Sequence, residues 1–291
     1  MILQGFLSGA NHRQYEIVRP LGSGGSGDVY YVYERQKKQY YAAKFIPNTS
    51  ISDGMAEAEF LKKLHHPALP KLYECIPLEE GVVLVMEYIE GKTLVEYRQN
   101  CENTFSTYNR SQKYKLHLFF LLADVLSYLH EQEPPVIYRD LKPENIMVEQ
   151  NGQIRLIDFG TARHFQVSEG HDTVPLGTPG YAAPEQMYGN AQTDQRTDIY
   201  ALGATMYYLY TGQDLSKPPY RIQLSVKSNN PEIPTYIYDC MKRCLQPSPE
   251  DRYQNIGELL EDLEWGENPN KDRYQSYRPI HLVSTHSQIR L

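Results

Sequence analysis

Four polar side chains lie close together in the sequence, around a segment that is expected to fold back on itself. Residues 146–157 consist of two apolar runs separated by Asn151 and Gly152. Asn-Gly between two apolar runs predicts a β-hairpin. The side chains at the open end of this hairpin are Asp140, Lys142, Asn145 and Asp158.

These four side chains have the chemistry of a metal and phosphate site. The oxygens of Asn145 and Asp158 are hard ligands of the kind that Mg²⁺ accepts alongside substrate phosphates. Lys142 provides a positive charge for a phosphoryl group, and Asp140 can accept the proton of a hydroxyl group. The sequence therefore predicts a metal and phosphate site at the open end of the hairpin.

A glycine-rich segment near the N-terminus is a further candidate for phosphate binding. Its residues are Gly22, Ser23, Gly24, Gly25, Ser26 and Gly27. The pattern G-x-G-x-x-G occurs in dinucleotide-binding turns, which open a helix, and in phosphate-binding loops, which join two strands. Residues 28–33 are rich in β-forming side chains and no βαβ unit follows, which favours the second alternative. Glycine lets backbone N–H groups approach phosphates closely.

The motifs occur together in an order found in one protein family. Y-R-D-L-K-P-E-N at 138–145, followed by D-F-G at 158–160, resembles the catalytic loop and metal-binding motif of the eukaryotic-type, or Hanks-type, serine/threonine protein kinases. G-T-P-G-Y-A-A-P-E at 177–185 is similar to the end of their activation segment. H-P-A-L-P-K-L-Y-E at 66–74 resembles the bacterial members most closely. The resemblance extends over about residues 15–265.

The resemblance implies an α+β, bilobal protein-kinase fold. The expected N-lobe, residues 15–90, is small and mainly antiparallel β-sheet with one helix. The expected C-lobe, residues 91–266, is larger and mainly α-helical, and it contains the activation segment, residues 158–185. Residues 1–14 are expected to form an N-terminal extension without a fold of its own, and residues 267–291 a polar tail or linker.

The resemblance also assigns roles to individual side chains. The implied catalytic residues are Asp140, Lys142, Asn145, Lys44 and Glu57, and the implied metal ligands are Asn145 and Asp158. Lys44 lies in an apolar strand expected at 40–46, where a lysine is costly unless its charge is compensated. In the family this lysine contacts the α- and β-phosphates and pairs with a glutamate of the following helix.

Two glutamates compete for the pairing with that lysine. Glu57 and Glu59 both lie in the helix expected at 55–64, which the run 69–76 is expected to follow as a further strand. Glu57 shares the apolar stripe of Leu61 and Leu64, whereas Glu59 is turned by about 160° from it. Glu57 is therefore the expected partner, and Glu59 is expected to face water.

The resemblance implies ATP and Mg²⁺ as cofactors, with Mn²⁺ as an alternative ion. Met86 is expected to gate the back of the adenine pocket, while the Glu87 carbonyl and the Ile89 backbone are expected to hydrogen-bond the purine. The side chains expected to enclose the ring are Leu21, Val29, Ala42 and Met147. The glycine-rich segment, Lys44 and Asp158 complete the implied nucleotide site.

Further contacts are expected around the catalytic loop. Tyr138 occupies a position where the family usually has histidine, and it is expected to pack on Phe159 if its hydroxyl finds a partner. The family implies that Asp198 both caps its helix and anchors the catalytic-loop backbone, and that Arg252 pairs with Glu185. Arg139 is expected to pair with a phosphorylated hydroxyl in the activation segment, at Thr173 or at Ser168.

Composition excludes several other classes of protein. A net charge of -7 argues against general nucleic-acid binding, which needs a basic surface. Four cysteines in 291 residues do not suit a disulfide framework, and Cys240 and Cys244 are expected to be core residues of one helix face. No run of about 20 apolar residues predicts a membrane span. A cytoplasmic location is expected, either for the chain itself or for the cytosolic domain of a longer membrane-anchored protein.

The sequence therefore leads to one functional hypothesis and two alternatives. An ATP-dependent kinase is expected to transfer the γ-phosphoryl group to Ser and Thr hydroxyls of protein substrates and to phosphorylate its own activation loop, with a kinase dimer as the arrangement for autophosphorylation. Lys142 and the 177–185 segment resemble Ser/Thr rather than Tyr kinases. One alternative is a pseudokinase that serves as a nucleotide-binding or scaffold module, for which a catalytic residue should be missing. None is missing from the sequence. The other alternative is a small-molecule kinase on a related fold, which would normally lack the A-P-E segment and its Arg252 partner.

Overall fold

The computed structural model describes residues 5–24, 27–101, 108–165, 177–188, 192–218, 222 and 233–267. Within these ranges an N-terminal part built on a β-sheet is followed by a mainly helical part. No helix in the described ranges is both long enough and apolar enough to cross a membrane.

The N-terminal part is one antiparallel sheet with one α-helix. Its strands are β1 (Phe6–Ser8), β2 (Gln14–Gly24), β3 (Gly27–Glu34), β4 (Gln39–Pro47), β5 (Leu72–Leu78) and β6 (Gly81–Glu87), and helix α1 (Ile51–Lys63) lies between β4 and β5. The strand order is β1-β2-β3-β4-β6-β5. Alternate side chains of β3, including Tyr30 and Val32, are buried in a core on one side of the sheet, as expected for a sheet with one apolar face.

The N-terminal extension is part of this sheet, which the sequence did not reveal. Strand β1 pairs with β2 in the register Leu7↔Tyr15. Glu74, on the opposite edge strand β5, accepts hydrogen bonds from the Ala10 N–H and, at 2.7 Å, from the Tyr15 hydroxyl. Arg13 lies 3.7 Å from the same carboxylate. The described part of the extension therefore has no fold separate from the sheet, but it contributes the edge strand β1.

Two boundaries in the N-terminal part differ from the sequence expectation. Helix α1 begins at Ile51, four residues earlier than expected, and includes Gly54. A Cβ atom at Gly54 would lie 2.8 Å from the Ile46 side chain, so glycine permits the helix to pack closely on β4. The strand expected to start at Leu69 starts at Leu72, because residues 67–69 form a turn.

The C-terminal part is helical apart from short strands. Its helices are α2 (Leu94–Cys101), α3 (Tyr108–His130), α4 (Pro184–Tyr188), α5 (Gln195–Thr211), α6 (Thr235–Cys244) and α7 (Ile256–Glu267). Its strands are β7 (Gly91–Thr93), β8 (Val136–Ile137), β9 (Ile146–Glu149), β10 (Ile154–Leu156) and β11 (Arg163–His164). The apolar face of α3 and nearly all of α5 are buried in the main core. Cys240 and Cys244 are buried in the same core, as expected.

The start of α5 corrects the expected capping residue. The N-cap of α5 is Asp194, whose side chain accepts a hydrogen bond from the Arg196 N–H. Asp198 lies in the first turn instead, and its side chain is directed to other partners. The apolar run begins only after Asp198, so the sequence did not reveal that the helix starts one turn earlier, at Gln195.

Candidate active site

The predicted hairpin forms and brings its flanking residues together. Strands β9 and β10 are antiparallel, with Leu156 opposite Ile146. The pairing continues beyond the strands, since the Ile157 N–H donates to the Asn145 carbonyl at 2.9 Å. Asp158 follows directly with a φ of 72°, a left-handed conformation that few non-glycine residues adopt. The backbone therefore brings Asn145 and Asp158 to the same end of the hairpin.

Asp140 is the centre of a hydrogen-bond network. Its Oδ2 accepts from Lys142 Nζ at 2.8 Å and from Asn145 Nδ2 at 2.8 Å. Its Oδ1 accepts from the Thr178 hydroxyl at 3.1 Å, and Lys142 Nζ also donates to that hydroxyl at 2.8 Å. Three of the expected site residues thus lie in mutual contact. Thr178 was not singled out from the sequence, although it belongs to the quoted G-T-P-G motif.

A second network connects the sheet to the hairpin. Lys44 Nζ contacts the two Glu57 carboxylate oxygens at 2.9 and 2.7 Å and Asp158 Oδ1 at 2.9 Å. Lys44 and Glu57 are 3% and 1% exposed, so this ion pair is buried between β4 and α1. Glu59 is exposed and pairs with Lys63. The choice of Glu57 over Glu59 as the partner of Lys44 is confirmed.

The buried charges shift the ionisation of this network. Burial alone would lower the pKa of Lys44, but the Glu57 and Asp158 carboxylates raise it above its ordinary value. Lys44 therefore remains an ammonium ion at neutral pH. Burial raises the pKa of the Glu57 carboxyl, and the attraction of the Lys44 ammonium opposes that shift. The Phe159 N–H also donates to Glu57 Oε1 at 3.3 Å, which ties the D-F-G motif to α1.

Asp198 holds the backbone of the catalytic loop. Its carboxylate accepts from the N–H groups of Tyr138 and Arg139 at 2.9 and 2.8 Å. It also contacts His130 Nε2 at 2.8 Å, and Asp198 itself is 0% exposed. Arg139 has a φ of 68°, so these hydrogen bonds help to hold a left-handed conformation next to Asp140. The expected anchoring role of Asp198 agrees with this geometry, although its expected capping role does not.

Tyr138 packs against the D-F-G motif. Its ring meets Phe159 edge-on, with centroids 5.0 Å apart and an interplanar angle of 73°. Its hydroxyl donates to the Ile157 carbonyl at 2.6 Å, so the buried phenol has the partner that it needs. The tyrosine therefore fixes the backbone immediately before Asp158.

Three of the residues expected to enclose the adenine ring lie on one face of the N-terminal sheet. Val29, Ala42 and Met86 are partly exposed, and Ala42 lies opposite Met86 in the β4–β6 pairing. Met147 is partly exposed on β9, opposite Thr93 of β7. Leu21, at 37% exposure, lies on β2. All five side chains are apolar and at least partly exposed, as an adenine site would require.

The hairpin that carries the glycine-rich segment is formed by β2 and β3. Gly22 pairs with Val29, and Ser23 donates to Asp28 Oδ1 at 2.6 Å. Gly27 has a φ of 132°, and a Cβ atom there would lie 2.2 Å from the Phe45 carbonyl, so only glycine fits. Gly25 and Ser26 lie outside the described residues, as do Ser168 and Thr173 of the activation segment.

The donor set at the end of the hairpin suits a divalent cation. Asn145 donates both to the Asp140 carbonyl at 2.9 Å and to the Asp140 carboxylate through Nδ2. Its amide oxygen is therefore left to act as an acceptor, and Asp158 adds a carboxylate. The described residues contain no cluster of three His, Cys, Asp or Glu that could bind a metal alone. A cation here would need phosphate oxygens as further ligands, which is the usual mode for Mg²⁺.

A buried ion pair joins α4 to the segment between α6 and α7. Arg252 donates to both carboxylate oxygens of Glu185, at 2.7 and 2.8 Å. It also donates to the carbonyls of Gln246, Pro247 and Arg196. The expected pairing of Arg252 with Glu185 is confirmed.

Comparison with known proteins shows that the chain is similar to protein kinases. A family model described as the protein kinase domain matches residues 15–263. The chain is 33% identical over 205 residues to sperm motility kinase 2A of Mus musculus, covering 69% of this chain and 39% of that protein. It is 27% identical over 290 residues to the serine/threonine-protein kinase PknD of Chlamydia abortus, covering 87% of this chain and 31% of that protein. A probable serine/threonine-protein kinase of Clostridium perfringens is 28% identical over 275 residues, covering 86% of this chain and 38% of that protein.

The chain corresponds to only part of each of these relatives. The chain spans about two fifths or less of the length of the curated relatives it matches. A protein kinase domain implies ATP and a divalent metal. Because the family model matches most of the chain and the relatives are serine/threonine kinases, this chain belongs to the protein kinase family.

Proposed function

We propose that this chain is an active serine/threonine protein kinase that transfers the γ-phosphoryl group of ATP to hydroxyl groups of proteins. The observation that carries the proposal is the double contact of Lys44, which bonds Glu57 and Asp158 at the same time. This contact aligns the sheet with the hairpin that carries Asp140 and Asn145. A pseudokinase that had lost its catalytic residues would not be expected to keep both networks.

Each side chain has a role that its contacts support. Lys44 would bind the α- and β-phosphates, and Glu57 would hold the ammonium group in place. Asp140 would orient the acceptor hydroxyl and accept its proton, while Lys142, which already contacts Asp140, would stabilise charge on the moving phosphoryl group. Catalysis would then come mainly from positioning and charge stabilisation.

The metal and nucleotide are proposed from the donor set. Asn145 and Asp158 would hold Mg²⁺, or Mn²⁺ as an alternative, and the bound ion would neutralise charge on the phosphates. The backbone of Glu87 and Ile89 would hydrogen-bond the adenine, at the junction of lobes near residues 90–91. The glycine-rich segment at 22–27 would cover the phosphates.

The proposed substrates are serine and threonine residues of proteins. Lys142 supports this choice, because it resembles the lysine of Ser/Thr kinases and contacts both Asp140 and the Thr178 hydroxyl. Autophosphorylation of the activation loop at Thr173 or Ser168, within a kinase dimer, is part of the proposal, with Arg139 as the phosphate partner. A cytoplasmic location stays a prediction of the sequence, as does the absence of nucleic-acid partners.

Incubation with γ-labelled ATP and Mg²⁺ tests the proposal. We expect label on a generic protein substrate and on the chain itself, with phosphoserine and phosphothreonine after acid hydrolysis. Mass spectrometry should place a phosphate between residues 161 and 178. Nucleotide binding without transfer would favour the pseudokinase alternative, and label on phosphotyrosine alone would contradict the proposed acceptor.

A further inference from the structure

Arg155, on strand β10, connects three segments that are distant in the sequence. Its Nη1 donates to the carbonyl oxygens of Pro67 and Leu69, at 2.8 and 3.1 Å. Its Nη2 donates to Glu87 Oε1 at 2.6 Å, and its Nε donates to Glu149 Oε1 at 3.2 Å. The Arg155 side chain is only 15% exposed. The guanidinium group is therefore largely removed from water and has protein acceptors on each of its nitrogens.

The acceptors of Arg155 are themselves joined. The Glu87 N–H donates to the Lys71 carbonyl at 2.8 Å, and Glu87 Oε2 accepts from the Lys71 N–H at 3.2 Å. The Leu156 N–H, next to Arg155, donates to the Ala68 carbonyl at 2.8 Å. The segment 65–71, the end of β6 and strand β10 thus form one hydrogen-bonded unit.

Each member of this unit leads directly to a part of the nucleotide site. Segment 65–71 follows α1, which carries Glu57. Glu87 ends the strand whose backbone is proposed to bind adenine, and β10 leads within two residues to Asp158. A planar guanidinium can serve several acceptors in fixed directions, which the single ammonium of lysine cannot do.

We propose that Arg155 is a positioning residue for ATP: through Glu87 it holds the adenine-binding backbone at a fixed distance from the catalytic hairpin. This inference rests on the proposed function, because it assigns the adenine to the end of β6. Loss of the contact should free the end of β6 relative to the hairpin. Nucleotide binding should then weaken, while the groups that act on the phosphoryl group keep their contacts.

The test compares Arg155→Gln and Glu87→Gln with the wild-type chain. We expect each variant to raise KM for ATP, and Kd for ADP with Mg²⁺ measured by calorimetry, by about fivefold, with kcat changed by less than about twofold. In the double variant, KM and Kd should exceed those of the more affected single variant by no more than about twofold, because both changes remove the same contact. The matched control is Glu149→Gln, which removes the other carboxylate partner of Arg155 from the same hairpin and should leave KM within about twofold.

The outcomes separate this inference from the proposed function. An unchanged KM and Kd in both single variants would overturn the role of Arg155. So would a double variant in which the fold-increase in Kd equals the product of the two single fold-increases, because the two residues would then act independently. If Arg155 only stabilised the fold, Arg155→Gln would lower the melting temperature and the active fraction without changing KM. If Arg155→Gln does not fold, Glu87→Gln tests the same contact. If the wild-type chain transfers no phosphate, the proposed function fails, and ADP affinity still tests Arg155.

Discussion

Removal of one partner from the Arg252–Glu185 ion pair should strongly destabilise the protein. Arg252 is 1% exposed and Glu185 is 5% exposed, so either change leaves a buried charge without its counterion. Loss of one partner from such a pair typically costs about 3–5 kcal/mol. Arg252→Met also leaves the carbonyls of Gln246, Pro247 and Arg196 without this donor, so it should cost more than Glu185→Gln, which keeps the hydrogen-bonding shape.

Urea denaturation and thermal denaturation, both followed by circular dichroism, measure the free energy of unfolding and the melting temperature. For a domain of this size, we expect Arg252→Met to lower the melting temperature by about 10 °C. Arg35→Gln is the matched control, because Arg35 pairs with Glu16 at 2.9 Å but the two side chains are 63% and 41% exposed. That control should change the free energy of unfolding by less than about 1 kcal/mol. A loss below about 1 kcal/mol for Arg252→Met would refute the reasoning.

Three further predictions concern buried polar groups. Tyr138→Phe should lower the free energy of unfolding by about 1–3 kcal/mol, because the Ile157 carbonyl loses its 2.6 Å donor; an unchanged melting curve would show that the hydrogen bond contributes nothing. Burial raises the pKa of Cys240 to about 11 from 9.0, so the folded state favours the neutral thiol and stability falls as pH rises above 9. Between pH 8 and pH 10, Cys240→Ala should lose about 1.4 kcal/mol less free energy of unfolding than the wild type, and an equally steep loss in the variant would contradict this. Glu34 is 1% exposed and lies beside the Tyr41 hydroxyl, but within the described residues its carboxylate forms no ion pair, so Glu34→Gln should raise the melting temperature by about 2–4 °C; a lower melting temperature would show that the buried carboxylate is compensated by its neighbours.

The parts of the site that the sequence could predict are those fixed by local patterns. Asn151-Gly152 between apolar runs predicted the hairpin, and the helical stripe of Leu61 and Leu64 identified Glu57. Both signals depend only on residues close in the sequence. The positions of Asp140, Lys142 and Asn145 followed because the backbone between them and the hairpin is short.

Contacts between distant segments could not be predicted in the same way. Glu74 contacts the N-terminal extension, 64 residues away, and Arg155 contacts Glu87, 68 residues away. In the sequence each is an ordinary charged residue on a strand, and only the sheet order and the packing of α1 bring the partners together. The N-cap of α5 was placed at Asp198 instead of Asp194, because the polar residues 195–197 carry no apolar signal of the first helical turn.

The role of Asp140 is tested most directly by single-turnover phosphoryl transfer. ATP affinity should be measured on the same preparations of wild type and Asp140→Asn. We expect Asp140→Asn to transfer about 10²–10⁴-fold more slowly, since a positioned acid–base group contributes about that factor, while ATP binds with an affinity within about threefold of wild type. Transfer by Asp140→Asn within about tenfold of the wild-type rate would contradict the assignment of Asp140 as the group that accepts the hydroxyl proton.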